Sequence, residues 1–489
     1  MLACVSSVVL VGAEPRPVNV EVFVGGGQPK FQLVGLPDAA VREAKERVRA
    51  AIQSSGYSFP GRRVVVNLAP ADVPKAGSAY DLPIALGVLV ASKLAPQGCA
   101  QVVALGELAL DGTIRAVRGG LGAALVASDA GLRCLLPPES AAETKTMGEL
   151  PVAAVTSLEH ALAVGSGEAE PVPISAASPT EPISHDLAEV RGQMLARRAL
   201  EIAAAGGHHL LMTGPPGAGK TMLARCLPGV MPRLRGREIS EVALTWAAAG
   251  VPRVDPTLAP FRSPHHSASL AALIGGGSGI PVPGEIALAH RGALFLDELG
   301  EFPVHMLDAL RQPMEEGHVV VARKGASVRF DTEFQLVAAT NPCPCGYEGD
   351  RLKQCSCPVR SVERYRRRLS GPLLDRFDLV VRVPRVEAGE MVSGNAEASA
   401  AVAARVEVAR RRQQQQGRRN SRLGRSALDR LPWHREAASI LEGAMQRTVL
   451  TARGWDRARR VAATIADLAE ADEIAGDHVM EALAYRGQR

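Results

Sequence analysis

The sequence runs to 489 residues, length for roughly two to four domains, and 46% of its side chains are hydrophobic and 22% charged. A peptide or single small module is excluded, and no uninterrupted apolar run approaches the ~18 residues of a membrane span, so a soluble protein is expected. The net charge of +5 is uneven: residues 1–165 carry 14 basic and 14 acidic side chains, residues 401–489 carry 17 and 11, and only 8 of the 56 basic residues are lysines.

The opening MLACVSSVVLVGAEP lacks the basic flank of a signal peptide and leads into the alternating VNVEVFV of a strand, so a cytoplasmic location is expected. FQLVGLPDAAVREAKERVRAAIQSSGY reads as strand, turn and amphipathic helix, and VVVNLAP as another strand. KAGSAYDLPIALGVLVAS supplies a second helix, and GELALDGTIRAVRGGLGAALVASDAGL a hairpin followed by a helix. The Pro-, Ser- and Glu-rich stretch from Gly165 to Pro182 has no apolar period, which sets a first domain at 1–165 and a linker at 166–182. In residues 183–412 short apolar strands alternate with helical stretches, the pattern of a parallel α/β sheet; HLLMTG, GALFLDEL and FQLVAATN are three of its strands. Residues 413–426 read as a polar, Arg- and Gln-rich mobile loop, and residues 427–489 as a small helical domain packed on the sheet.

Gly214, Pro215, Pro216, Gly217, Ala218, Gly219, Lys220 and Thr221 match G-x-x-x-x-G-K-[ST] between an apolar strand and a helix. Backbone N–H groups of such a loop curl around phosphate oxygens, Lys220 reaches the β- and γ-phosphates, and the Thr221 hydroxyl ligates Mg²⁺. ATP and Mg²⁺ are therefore the expected substrate and ion. Asp297 and Glu298 end the buried strand ALFL; Asp297 is assigned to the metal and Glu298 to the base that polarises water, a helix-capping acidic pair being the alternative. Asn341 ends the third strand, where its amide would meet the γ-phosphate or the water.

Cys343, Cys345, Cys355 and Cys357 form C-x-C-x9-C-x-C. Four thiolates suit tetrahedral Zn²⁺ in a structural role, although C-x-C pairs depart from the commonest spacing; a redox-sensitive thiol cluster is the other reading. Between Arg351 and Arg376 eight basic residues face only Glu363 and Asp375, a composition suited to phosphate backbones or to a subunit interface. HVVVARKGASVRF reads as a hairpin turning at Lys324-Gly325. His265 and His266, without acidic or Cys neighbours in sequence, are poor metal ligands.

GPPGAGKT, LFLDE, LVAATNPCPCG and LSGPLLDRFDL together resemble an AAA+ ATPase of the magnesium-chelatase-like branch, with the nearest fit to the ComM (YifB) family over almost the whole chain. The resemblance implies an α/β fold class in three parts: an N-terminal ribosomal S5-like domain similar to the proteolytic domain of Lon, a central AAA+ P-loop sheet domain and a C-terminal helical lid. By the same resemblance Asn341 is the first sensor, Arg376 the arginine finger and Arg453 the second sensor, with Arg457 as fallback. A hairpin before the first sensor projects into the channel of related rings, which gives Arg323 and Lys324 to DNA, and residues 262–284 become a pore-facing insert. Ser78 stands where the Lon nucleophile lies, but the Lys base is replaced by Gly122, so proteolysis is not expected. The family's function implies a homo-hexameric DNA motor: a branch-migration helicase of natural transformation or recombination, with single-stranded, forked or branched DNA and recombination proteins as partners and no membrane. A magnesium-chelatase motor subunit and an ATP-dependent protein-remodelling or regulatory factor are the alternatives.

Overall fold

The structure, a computed structural model, describes the chain apart from residues 76, 175–184, 252, 254, 278–279, 324–325, 351, 370, 387–395, 416, 418, 448–450 and 487–489. The N-terminal part is a seven-stranded mixed sheet. Its strands are β1 (Leu2–Val11), β2 (Glu14–Gly25), β3 (Lys30–Val34), β4 (Arg63–Ala69), β5 (Val102–Ala104), β8 (Arg133–Leu136) and β9 (Val152–Ala154), in spatial order 3-4-2-1-5-8-9. A small hairpin, β6 (Glu107–Leu108) with β7 (Ile114–Arg115), stands beside it. Alternation in β2 sends Val18, Val20, Val22 and Val24 into the core, where they meet α2 (Asp81–Ala91), a helix buried along its whole length. Asp38 caps α1 (Ala39–Ser54) by accepting from the Val41 N–H at 2.8 Å, and α3 (Gly120–Ala130) lies against β1 and β2.

The second sheet holds β10 (Leu210–Thr213), β11 (Phe261–Arg262), β14 (Ala293–Leu296), β17 (Gln335–Thr340) and β18 (Leu379–Arg382), all parallel, in the order 11-14-17-10-18. Its strands are apolar on both sides because both faces are covered. Leu210, Met212, Val337 and Ala339 face α4 (Met194–Gly206) and the C-terminal helices, whereas Leu211, Leu294, Leu336 and Ala338 face a separate core around Phe302, Met306 and Phe377. Two further antiparallel pairs lie outside the sheet: β12 (Gly275–Gly276) with β13 (Val282–Pro283), and β15 (His318–Arg323) with β16 (Ala326–Asp331). The second of these hairpins carries its apolar face, Val321, Val328 and Phe330, against Val11 of the N-terminal part. Among the described residues no helix is long and apolar enough to cross a membrane.

The C-terminal region is helical: α8 (Ser399–Gln415), α9 (Arg435–Gln446), α10 (Ala452–Leu468) and α11 (Gly476–Ala484). Ala458, Val461, Ala462 and Ile465 recur at helical spacing on α10 and join the sheet's core. Residues 413–426 differ from the loop expected on composition. Helix α8 continues to Gln415, Asn420–Arg422 form a 3₁₀ turn, and Gln413 and Asn420 are buried. Polar side chains fit there because each finds an internal partner: Asn420 donates to Asp467 Oδ2 at 2.7 Å, and its own N–H donates to Gln413 Oε1 at 3.3 Å. The expected linker is also shorter than 166–182, since Val172 returns to the first sheet and donates its N–H to Ala154 O at 3.0 Å; residues 175–182 of it lie outside the described residues.

Candidate functional site

Register decides which residues meet. Thr213 lies opposite Thr340 and Leu296 opposite Ala338, so the carboxyl ends of β10, β17 and β14 open on one edge. The next residues in sequence are Gly214, Asn341 and Asp297, and they converge although up to about 130 positions separate them. The loop then turns through Gly217 (φ +76°) and Gly219 (φ +88°), conformations that side chains with a Cβ rarely adopt, and enters α5 (Lys220–Arg225) at its amino end. Lys220 is buried. Its Nζ donates to Gly214 O at 2.6 Å, Pro215 O at 2.9 Å and Asn341 Oδ1 at 3.2 Å. Burial lowers the Lys220 pKa from 10.5 to about 8, against the opposing pull of Asp297 and Glu298.

Thr221 Oγ1 donates to Asp297 Oδ2 at 2.7 Å, which puts the hydroxyl and carboxylate suited to Mg²⁺ in direct contact. Asp297 Oδ1 accepts from the Glu298 N–H at 3.0 Å, while the Glu298 side chain is exposed on a left-handed backbone (φ +51°). One neighbour has no local sequence signal: His266 Nδ1 lies 3.8 Å from Glu298 Oε2, and its ring sits tilted by 35° against His265 with centroids 4.0 Å apart. In sequence Glu298 is 32 positions away from His266; only the pairing of β11 with β14 brings them together.

The assigned arginines lie elsewhere. Arg376 and Arg453, with Arg457, line a cavity of about 960 Å³ that none of Gly214–Thr221, Asp297, Glu298 or Asn341 enters. Arg376 donates to Glu315 Oε1 and to Pro372 O, each at 2.5 Å. Arg453 is exposed on the first turn of α10, whereas Arg457 sits 3.7 Å from the buried Asp378. Burial would raise the Asp378 pKa, but the His208 hydrogen bond and the charges of His208, His209 and Arg457 outweigh it and hold the group at about 2.

Three family descriptions of the magnesium chelatase subunit ChlI match successive parts of the chain: residues 20–141, residues 186–391 and, for the C-terminal region, residues 396–486. YifB of Salmonella typhimurium is 42% identical over 99% of this chain and 97% of its own length, and the competence protein ComM of Haemophilus influenzae is 40% identical with the same coverage. The chain belongs to the ComM/YifB family of magnesium-chelatase-like proteins. A segment covering 36% of the chain is 27% identical to the probable DNA helicase MCM9 of Arabidopsis thaliana, matching 22% of that protein.

The four cysteines fall inside the central match and come together in space. All four are free thiols, with Sγ atoms within 4.8 Å of one another. Cys343 and Cys345 are 3.4 Å apart, and Cys355 is 3.6 Å from each. Backbone donors aim at the sulfurs, Cys345 N–H to Cys357 Sγ at 3.3 Å and Cys357 N–H to Cys355 Sγ at 3.4 Å. The Tyr347 N–H, followed by that of Ser356, lowers the Cys345 pKa to about 6.

Of the expected DNA contacts, Arg323 is exposed. Arg323 ends β15, where its Nη1 donates to Ala322 O at 3.0 Å; Lys324 lies outside the described residues, as does Arg351. Helix α6 (Leu270–Ile274) and β12 and β13 occupy the glycine-rich insert. Helix α7 (Val359–Arg368) buries Val362 and Tyr365 and exposes Arg360, Arg364, Arg366, Arg367 and Arg368, two of which have acidic neighbours: Arg366 donates to Glu348 at 2.8 Å, and Arg368 is 3.8 Å from Glu301. In the N-terminal part Ser78 donates to Glu107. A Cβ at Gly122 would lie 2.8 Å from Leu10 and 3.1 Å from Pro15, leaving no room there for a lysine side chain.

Proposed function

We propose that the chain is an ATP-hydrolysing motor that works as a homo-hexameric ring on branched DNA, driving branch migration in natural transformation or related recombination. The observation that carries the ATPase part is the convergence of Lys220, Thr221, Asp297, Glu298 and Asn341 on one sheet edge. The chain's groups divide the work. Backbone N–H groups of Gly217–Thr221 and the Lys220 ammonium hold the β- and γ-phosphates, and Thr221 with Asp297 holds Mg²⁺, which neutralises phosphate charge when bound. Glu298 orients water and takes its proton as the water oxygen bonds to the γ-phosphorus and the bond from that phosphorus to the β–γ bridging oxygen breaks, releasing ADP and phosphate, and Asn341 fixes that water against the γ-phosphate.

The separation of Arg376 and Arg453 from these groups supports the ring. Both line a face remote from the chain's own P-loop, so a neighbouring copy's γ-phosphate is the charge they complete, in the roles of arginine finger and second sensor. Exposed Arg323 with Lys324, and the arginines of α7, supply phosphate-backbone contacts. The N-terminal part, in this reading a Lon-like S5 fold, serves assembly or DNA contact rather than proteolysis, because Ser78 donates to a carboxylate and Gly122 stands where the lysine base would be. The ComM name of one relative and the partial likeness to a probable helicase favour DNA over a chelatase partner or an unfolded polypeptide. The test is the ATPase rate with single-stranded, duplex and forked DNA added in turn. Strong stimulation by a forked or branched substrate is expected, and a rate indifferent to every DNA would sink the motor reading.

A further inference from the structure

We propose that Cys343, Cys345, Cys355 and Cys357 bind one Zn²⁺, and that this ion fixes one wall of the nucleotide site, so that nucleotide affinity depends on metal occupancy. A tetrahedron of thiolates at the Zn–S length of ~2.3 Å has S···S edges of about 3.8 Å. Three of the six edges, those among Cys343, Cys345 and Cys355, are 3.4, 3.6 and 3.6 Å, and the fourth sulfur, of Cys357, lies within 4.8 Å of each, so the set closes on an ion by shifts of an ångström or less. N–H donors already point at two of the sulfurs and stabilise negative charge on them. Four protein ligands leave no open coordination position, so the ion's role is structural.

An ion would join the two arms of the cluster at their base. Between Cys345 and Cys355 the chain exposes Leu352 (82%), Lys353 and Gln354, and polar contacts rather than a hydrophobic core order it: Asp350 accepts from Arg385 Nε at 3.0 Å, and Lys353 Nζ lies 4.2 Å from the centre of the Tyr347 ring. Yet this loop touches the machinery around the phosphates. Cys343 stands two residues beyond Asn341, whose side chain accepts from Lys220. The Gly346 N–H donates to Cys343 O at 2.9 Å, closing a turn that carries two of the thiols. Gly346 (φ +83°) then lies so close to the P-loop that a Cβ would come within 2.5 Å of Pro216 Cδ. On the far side Cys357 leads through Pro358 into α7, where Tyr365 Oη lies 3.3 Å from Thr340 Oγ1 and the ring packs on Gly300, two residues beyond Glu298. One ion thus ties together the loops carrying Pro216, Asn341 and, through Tyr365, Glu298. The coupling rests on reading Gly214–Thr221 as a nucleotide site; the metal site does not.

The experiment uses the full chain. Metal content is measured by mass spectrometry, and the affinity for a fluorescent ATP analogue with Mg²⁺ is measured before and after 1,10-phenanthroline, which takes Zn²⁺ and leaves Mg²⁺. The expected result is about one Zn²⁺ per chain, with the dissociation constant rising about tenfold or more on its removal and recovering when Zn²⁺ is returned. Replacement by Co²⁺ should give the visible bands of a tetrahedral tetrathiolate. Two variants separate the arms: Cys355→Ser should lose the metal, and Gly346→Ala should keep it while weakening nucleotide binding. A chain that neither holds nor takes up Zn²⁺, or whose nucleotide affinity ignores its removal, overturns the proposal and leaves the nucleotide reading standing. A chain that holds Zn²⁺ but binds no nucleotide overturns the coupling and that reading together.

Discussion

At Lys220 a single ammonium is held by two carbonyls and an amide, and its burial has a consequence that can be read in pH. With the pKa lowered from 10.5 to about 8, the charged form is penalised in the fold. That penalty on stability is present in full below pH 8 and relieved as the pH rises from 8 toward 10.5, where the unfolded chain also deprotonates. Nucleotide affinity moves the opposite way. It should stay level below pH 8 and weaken by about tenfold per pH unit above it, as neutral amine replaces the charge facing the phosphates; titrating a fluorescent nucleotide from pH 7 to 9.5 checks this. At Glu298 the expectation is a split between binding and chemistry. Glu298→Gln should keep nucleotide affinity and lower turnover by about 10²-fold or more, and a variant that lost both would place the residue in binding instead. His266→Ala removes the group 3.8 Å from that carboxylate, so its turnover should fall on the order of tenfold at unchanged nucleotide affinity.

Elements explain what the sequence made legible and what it hid. The P-loop and the acidic strand end were readable because their chemistry is local: a few residues in fixed order specify the turn, the helix start and the carboxylate. The C-terminal helices were readable by period. His266 was not, because its partner belongs to another strand of the sheet and only β11 beside β14 joins them. The nature of residues 413–426 was hidden for a related reason: polar composition looks the same whether Gln413 and Asn420 face water or each other. The packing of Gly346 on Pro216 is a contact between two loops, and no local pattern encodes it. Helix α7 presents the opposite case, since its Arg stripe was evident but its acidic neighbours Glu348 and Glu301 were not. Those pairs leave Arg360, Arg364 and Arg367 as the better candidates for phosphate contact. Arg364→Ala with Arg367→Ala should weaken DNA binding and reduce the slope of log affinity against log salt by about two, one for each phosphate contact removed; an unchanged slope assigns the stripe to another surface.

On the scale of the whole molecule the question is where Arg376 acts. In this chain it lies on a cavity that Gly214–Thr221 do not reach, held by Glu315 and the Pro372 carbonyl, so in the proposed reading an isolated chain has the nucleotide loop without the arginine that would complete it. The proposed ring would solve this by heterologous contact, each subunit offering its arginine face to the next subunit's phosphates. The arrangement makes a quantitative prediction. Arg376→Ala and Glu298→Gln, each assembled alone, should lose about 10³-fold and about 10²-fold or more of turnover respectively. Mixed in equal amounts and allowed to exchange, an Arg376→Ala subunit keeps its own Glu298 and P-loop, and a neighbouring Glu298→Gln subunit lends it Arg376. Random neighbours complete roughly a quarter of the sites, so the mixture should recover roughly a quarter of wild-type activity if sites fire independently. If Arg376 served its own chain's nucleotide, no mixing ratio would rescue either variant, and the ring would have to be argued from light scattering alone.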